Sequence, residues 1–216
     1  MKYFVFSSSA AVYGEPLYLP LDESHPTAPM NCYGHTKLAI ENLLRWYSQR
    51  QGLRFSSLRY FNAAGYDVDG ELNGLEHEPN NLLPIVLETI VGRRKKVKVF
   101  GTDYDTRDGS CIRDYIHVSD LAEAHLKALD YLKHENQDLV INLGTSKGLS
   151  VLEIMQIASE VSGQEFNYTL GPRRNGDPAV VLAKADLAAE LLCWKPKHSD
   201  ANTLLETTLR AYRQSS

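Results

Sequence analysis

The chain has 216 residues, 43% of them hydrophobic and 23% charged, enough apolar material for one or two packed domains and no sign of global disorder. The formal charge of −4, from 27 acidic and 23 basic side chains, argues against a nucleic-acid backbone as the main partner and leaves room only for a local anion site. Three widely spaced cysteines (Cys32, Cys111, Cys193) make neither a disulfide framework nor paired zinc ligands, and no stretch approaches the roughly 18 apolar residues of a membrane helix, so no metal, membrane or nucleic-acid partner is expected and the expected setting is cytoplasmic.

The opening run KYFVFS (2–7) is dense in aromatic and branched residues and predicts a strand buried on both faces, as in a parallel sheet. The small polar residues Ser7, Ser8 and Ser9 then fall at its carboxyl end, the edge where open α/β sheets bind ligands. Residues 15–31 hold four of the nine prolines and predict a loop. From about Tyr33 a helix follows, with Leu38, Leu43, Leu44 and Tyr47 as its inward stripe and Gly52 as its stop. FSSLRYF (55–61) predicts the next strand, completing a right-handed crossover. A long loop spans 62–83, a helix about 84–92, a short strand 97–101 and a second loop 101–113. Ser119 is the expected cap of a helix to about Leu132, with Val118, Leu121, Ala122, His125, Leu129 and Leu132 on one face. LVINLG (139–144) predicts a buried strand, and Ser150 with Glu153 a capping box ahead of a helix that buries Val151, Ile154, Ala158 and Val161. FNYTL (166–170) is a strand, 171–180 a charged loop, and 184–192 and 203–213 are helices. The basic run 93–96 is expected to be a solvated turn.

Two features carry chemistry. Tyr33 and Lys37, four apart on a helix, share one face one turn apart. An ammonium held beside a phenol favours the phenolate, so such a pair can exchange a proton with a sugar hydroxyl. A serine hydroxyl at a strand end can donate to an alkoxide or carbonyl oxygen as it forms. Each feature alone is common on surfaces and in turns; strand end, serines and YxxxK in this order are more specific together.

The segments SSSAAVYGE (7–15), YGHTK (33–37) and RYFNAAG (59–65) resemble the extended short-chain dehydrogenase/reductase group. PNNLLP (79–84), VFGTDYDTRDGSCIRDYIHVSDLAEAH (99–125), INLGTSKGLSV (141–151) and GPRRNGDP (171–178) narrow the resemblance to the UDP-glucose 4-epimerases, over essentially the whole chain. The resemblance implies an α/β fold: a partial Rossmann-type NAD(P)-binding sheet (1–65 and 112–147) with a smaller mixed α/β substrate-binding domain (66–111 and 148–216). It implies NAD as cofactor and UDP-glucose and UDP-galactose as substrates. Ser9, Tyr33 and Lys37 would be catalytic, and Ser7, Ser8, Tyr33, Lys37 and Tyr60 would face the cofactor. Asn62 would sit near the phosphates, Asn81 and Leu82 would meet the nucleotide sugar, Phe100 would belong to the uracil pocket, and Arg113, Arg174 and Asp177 would hold diphosphate and ribose. Taken without the resemblance, Arg113 with Asp114 and Arg174 with Asp177 read equally well as surface ion networks.

The implied reaction moves the O4′ proton to Tyr33 and hydride from C4′ to NAD, then returns both after the 4-keto sugar has turned over. Nucleotide-sugar 4,6-dehydratases place an acidic pair after the serine or threonine; here Ala10 and Ala11 follow Ser9, which disfavours elimination. Uronate and N-acetylated substrates remain open, with Val180 or Val181 at the position that gates bulk. The family's glycine-rich turn after the first strand has no counterpart in these residues, so roughly the first third of a typical member is expected to lie outside this sequence. Weak NAD binding, an open strand edge and a catalytically silent binding module follow as expectations, as do a homodimer or a complementing upstream fragment as partner.

Overall fold

The computed structural model describes residues 2–214. Strands β1 (Tyr3–Ser9), β2 (Arg54–Tyr60) and β6 (Leu139–Leu143) form a parallel sheet in the order β1-β2-β6. Its register aligns Ser9, Tyr60 and Leu143 at the carboxyl ends. Helix α1 (Cys32–Gln51) crosses from β1 to β2, and α3 (Val118–Glu135) leads into β6. Around β5 (Ile112–His117) gather β3 (Asn62–Ala64) and β9 (Val180–Val181), both parallel to it, and β7 (Gly148–Ser150), antiparallel. A third, two-stranded parallel sheet pairs β4 (Val97–Phe100) with β8 (Tyr168–Gly171). Helices α2 (Leu82–Ile90), α4 (Val151–Ser162) and α6 (Ala201–Gln214) enclose one apolar cluster that includes Leu83, Leu87, Ile154, Leu205 and Tyr212. A second cluster, with Leu58, Ile116, Leu121 and Ile141, also takes in Leu192 of α5 (Asp186–Leu192) and Trp194.

The expected elements form within a few residues of their predicted bounds, and the capping box at Ser150 and Glu153 closes in both directions. Several expectations fail for identifiable reasons. The loop expected over 101–113 ends earlier, and no strand was expected after it; Ile112–His117 form β5, where Asp114 and His117 are fully buried. Ser119 does not cap α3. The cap is His117, whose Nδ1 accepts from the Ser119 amide at 3.0 Å. On α3 the buried residues are Asp120, Leu121, Ala124, Ala128 and Leu132, so Val118 and Ala122 turn outward from the face assigned to them.

The stripe expected on α1 is the largest correction. Leu44 is buried, but Leu43 and Tyr47 are exposed, together with Ile40 and Trp46. The inward face is built from Gly34, Glu41, Leu44 and Ser48, two of them polar and one of them charged. Hydrophobic periodicity misses a helix that buries a carboxylate. Glu41 is admitted because Arg59 of β2 meets both its oxygens, Nε to Oε1 at 2.9 Å and Nη2 to Oε2 at 2.6 Å. Burial works against the Arg59 charge, but hydrogen bonds to Glu41 and Tyr13 more than offset it and raise its pKa. The same carboxylate accepts from Ser8 Oγ at 2.6 Å. Arg59 also donates to Tyr13, whose hydroxyl donates to Asn142 of β6. This buried polar line bolts α1, β1, β2 and β6 into one piece. β1 itself is only half-buried over Tyr3–Ser7, with β2 as its one partner among the described residues, and so is not the strand buried on both faces that its composition predicts.

Candidate active site

Gly34 decides how closely the first turn of α1 approaches the end of β1. A Cβ at this position would come within 2.4 Å of the Ala11 carbonyl oxygen, in the 3-10 turn that follows Ser9. Without one, the turn carrying Tyr33 packs against the serine end of the strand. Asn31 caps the helix by accepting from the Gly34 amide at 2.8 Å. Lys37 points back toward the sheet rather than into water. Its Nζ donates to the Ser7 carbonyl at 2.9 Å and lies 5.4 Å from the centre of the Tyr33 ring. Tyr33 is half exposed. The ammonium and the phenol expected to work together are therefore neighbours beside the strand end.

Ser7, Ser8 and Ser9 differ in what their hydroxyls meet. Ser7 Oγ lies 2.9 Å from His125 Nε2, and Ser8 Oγ is fully buried on Glu41. Ser9 Oγ accepts from the Ala11 amide at 3.2 Å and is the serine that lines the adjoining cavity. Tyr60 is half-buried at the carboxyl end of β2, beside the His125 ring.

In front of this corner runs a trench made of two joined cavities, of about 330 and 230 Å³, that share Asn62, Arg113 and Asp177. The larger is lined by Ser9, Ala10, Ala11, Met30, Asn31, Phe61 and Val181, among others. Two methyl groups thus stand after Ser9, where elimination chemistry needs an acid. Of the two valines considered as gates, Val181 lines the cavity and Val180 does not. The smaller cavity is lined by Asn81 and Leu82 at the start of α2, by Lys98 and Phe100 of β4, and by Cys111 and Arg174. The seven residues assigned from sequence to the nucleotide sugar, together with Ser9, therefore border these two cavities, while Tyr33 and Lys37 are in neither lining.

The charges are arranged differently from the surface networks considered from sequence. Arg113 pairs with Asp177, not with Asp114. Asp114 is fully buried and has no cation within reach among the described residues. Its oxygens instead accept from the Thr145, Ser146 and Ala183 amides and from the Thr145 hydroxyl. Burial raises its pKa above the usual carboxylate value and these four donors oppose the rise. Asp114 thereby ties the 144–146 loop and the segment after β9 to β5, next to Arg113; its own carbonyl accepts from Asn62 Nδ2 at 3.1 Å. Sequence reasoning did not identify Lys98, Met30 or Asn31 as trench residues. The alternation in VKVF, which puts Lys98 and Phe100 on one face of a strand, is the signal that would have found Lys98.

A parallel sheet joined by helical crossovers, with polar side chains gathered in a crevice outside the carboxyl ends of its strands, defines a Rossmann-type α/β protein with a nucleotide-sized trench. Residues 1–144 match the NAD dependent epimerase/dehydratase family, and the chain belongs to that family. It is 48% identical over 207 residues to a UDP-glucose 4-epimerase of Halalkalibacterium halodurans, covering 95% of this chain and 62% of that protein. A UDP-glucose-4-epimerase from Stenotrophomonas maltophila, solved with bound NAD and formylated UDP-arabinopyranose, superposes with a TM-score of 0.95 at 40% identity, covering 100% of this chain and 64% of that one. A UDP-glucose 4-epimerase from Brucella ovis in complex with NAD gives 0.93 at 43% identity, covering 96% and 64%. The chain thus spans somewhat less than two thirds of the length of the relatives it matches. Among the described residues no helix is long and apolar enough to cross a membrane.

Proposed function

We propose that this chain carries the sugar-nucleotide site and the proton-transfer residues of a UDP-glucose 4-epimerase, interconverting UDP-glucose and UDP-galactose with NAD. What carries the reading is the trench: seven side chains from five separate segments, with apolar, amide, guanidinium and carboxylate chemistry suited to a base, a diphosphate and a ribose, gather beside Ser9. Guanidinium groups suit a diphosphate because they present several N–H donors in one plane. Arg113 is held at the junction of the two cavities by Asp177, and Arg174 stands at the far end, so a diphosphate lying there would leave a hexose toward Ser9.

In this reading Tyr33 takes and returns the O4′ proton, Lys37 stabilises the phenolate, and Ser9 donates a hydrogen bond to the same oxygen. The Lys37 amine, fixed on the Ser7 carbonyl with further donors to spare, and the half-exposed Tyr33 suit the ribose and nicotinamide end of NAD, with Tyr60 and the Ser7–Ser9 strand end beside them. When bound, NAD supplies the hydride acceptor and donor. Ala10 and Ala11 put methyl groups rather than carboxyls next to Ser9 in the lining and so favour epimerisation over elimination. The modest bulk of Val181 in the cavity wall favours a site that also admits N-acetylated hexoses.

Two partners belong to the same proposal. The stripe of Ile40, Leu43, Trp46 and Tyr47 suits pairing of α1 with a second copy, and the half-buried β1 suits a complementing strand–helix–strand segment. A silent binding module is the competing reading, favoured by a trench built wholly within this chain. Calorimetric titration of the 216-residue chain with UDP-glucose and NAD, followed by a turnover assay, tests all of this. UDP-glucose binding with conversion supports the enzyme, binding without conversion supports the module, and no saturable UDP-glucose binding sinks both.

A further inference from the structure

We propose that Lys98 is an additional contact for the anionic linkage of the nucleotide sugar, and that the Phe100 ring is a cation platform which aims Lys98 and Arg174 at it. The proposal rests on the nucleotide-sugar reading of the trench and assigns its charges more finely.

Strand β4 alternates: Val97 and Val99 are buried, while Lys98 and Phe100 face the other way. Both outward residues line the smaller cavity. Lys98 Nζ lies 4.9 Å from the centre of the Phe100 ring, and the Arg174 guanidinium carbon lies 4.0 Å from it. An aromatic face attracts a cation through its quadrupole. Two cations drawn to one ring repel each other, and that arrangement is most favourable when an anion lies between or beside them. Neither has a carboxylate within 4.0 Å among the described residues, whereas Arg113 is already paired with Asp177 and Arg173 with Asp103. In a chain of formal charge −4, this end of the trench holds two uncompensated positive charges.

The path of Lys98 is built into the neighbouring strand. Gly171 of β8 pairs with Phe100, and a Cβ there would stand 2.5 Å from Lys98 Cε. The missing side chain leaves the groove along which the lysine lies. Gly171 does not occupy the left-handed region, so alanine is conformationally allowed and only the space is lost. A guanidinium 4.0 Å from the ring also takes up a face that a stacked base would need.

Uridine and UDP separate the two roles of Phe100, because uridine has the base and ribose without the phosphates. The test is calorimetric titration of the full chain and of Lys98→Gln, Gly171→Ala and Phe100→Leu with both ligands, at low and at moderate salt, with each variant's fold checked by its circular dichroism melt. Lys98→Gln is expected to weaken UDP by roughly three- to tenfold, to leave uridine within about twofold, and to flatten the salt dependence of UDP binding. Gly171→Ala should weaken UDP in the same sense with the charge intact, and Phe100→Leu should weaken UDP more than uridine. Equal weakening of UDP and uridine by Phe100→Leu would make the ring a base platform and overturn the proposal. Unchanged UDP affinity in Lys98→Gln would overturn it as well. A parent chain that fails to bind UDP at all would remove the trench reading itself, and the proposal with it.

Discussion

Replacing Asp114 by asparagine tests whether a buried carboxylate organises the trench through backbone amides alone. One oxygen accepts from the Thr145 amide and hydroxyl at 2.8 and 2.6 Å, and the other from the Ser146 and Ala183 amides at 3.0 and 3.2 Å. Asparagine keeps only one acceptor oxygen. Its better orientation keeps that oxygen on Ser146 and Ala183 and turns the NH2 toward Thr145, whose hydroxyl can rotate to accept. One backbone N–H is then left unpaired, a loss of about 1–3 kcal/mol, reduced by whatever relief comes from no longer burying a charge. Alanine leaves three backbone N–H groups unpaired, about 3–9 kcal/mol, comparable to the whole stability of a domain. Urea and thermal melts should therefore show Asp114→Asn folded with Tm lower by roughly 3–10 °C, and Asp114→Ala largely unfolded.

The pH dependence has a definite sign. The folded pKa of Asp114 is raised, so its contribution is complete below the ordinary value of 3.8 and declines as pH rises through the folded value. Asparagine has no such dependence. The stability gap between wild type and Asp114→Asn should narrow as pH rises from just below 3.8 toward neutrality. A gap that widens over that range, or an Asp114→Ala protein as stable as wild type, would refute the account.

Breaking the buried pair by Glu41→Gln or Arg59→Met should destabilise the chain by about 3–5 kcal/mol in denaturant melts, because the partner is left charged and buried; the double replacement should cost less than the sum. Leu43→Glu with Trp46→Glu should shift the chain toward the monomer in sedimentation velocity, without lowering UDP affinity. Tyr33→Phe should leave UDP affinity within about twofold while lowering epimerisation by roughly 10² to 10⁴, as expected for loss of an acid/base group. Removal of Glu153 from its pair with Arg107 should matter least at low pH. Hydrogen bonding to Arg107 depresses the Glu153 pKa, so its contribution is present above about 4.5 and fades as pH falls through the lowered value.

Apolar runs and the Ser150 capping box were legible in the sequence because they report local physics, whereas the cap expected at Ser119 is His117. KYFVFS, LVINLG and the box at Ser150 each became the element they predict. The failures concentrate where a polar side chain is buried by distant partners. β5 reads as loop because Asp114 and His117 look like surface residues until Thr145, Ala183 and Thr207 are brought to them. The inward face of α1 cannot be read without Arg59, which lies 18 residues away on the next strand. The two- and three-residue strands β3, β7 and β9 are too short to carry a period, and exist only as pairings with β5. Trench residues were found through the resemblance and through motif order; spacing alone would have found Lys98 with Phe100 and little else.

The pairing of β9 with β5 fixes which of two neighbouring valines faces the larger cavity. Ile112 stands opposite Val180 and Arg113 opposite Val181, in a ladder where adjacent residues project to opposite sides. An insertion or deletion of a single residue here would rotate Val181 out of the cavity and bring Val180 in, while shifting both relative to the arginine. A change of side chain at position 181 therefore alters the cavity wall without disturbing the register of β9 on β5.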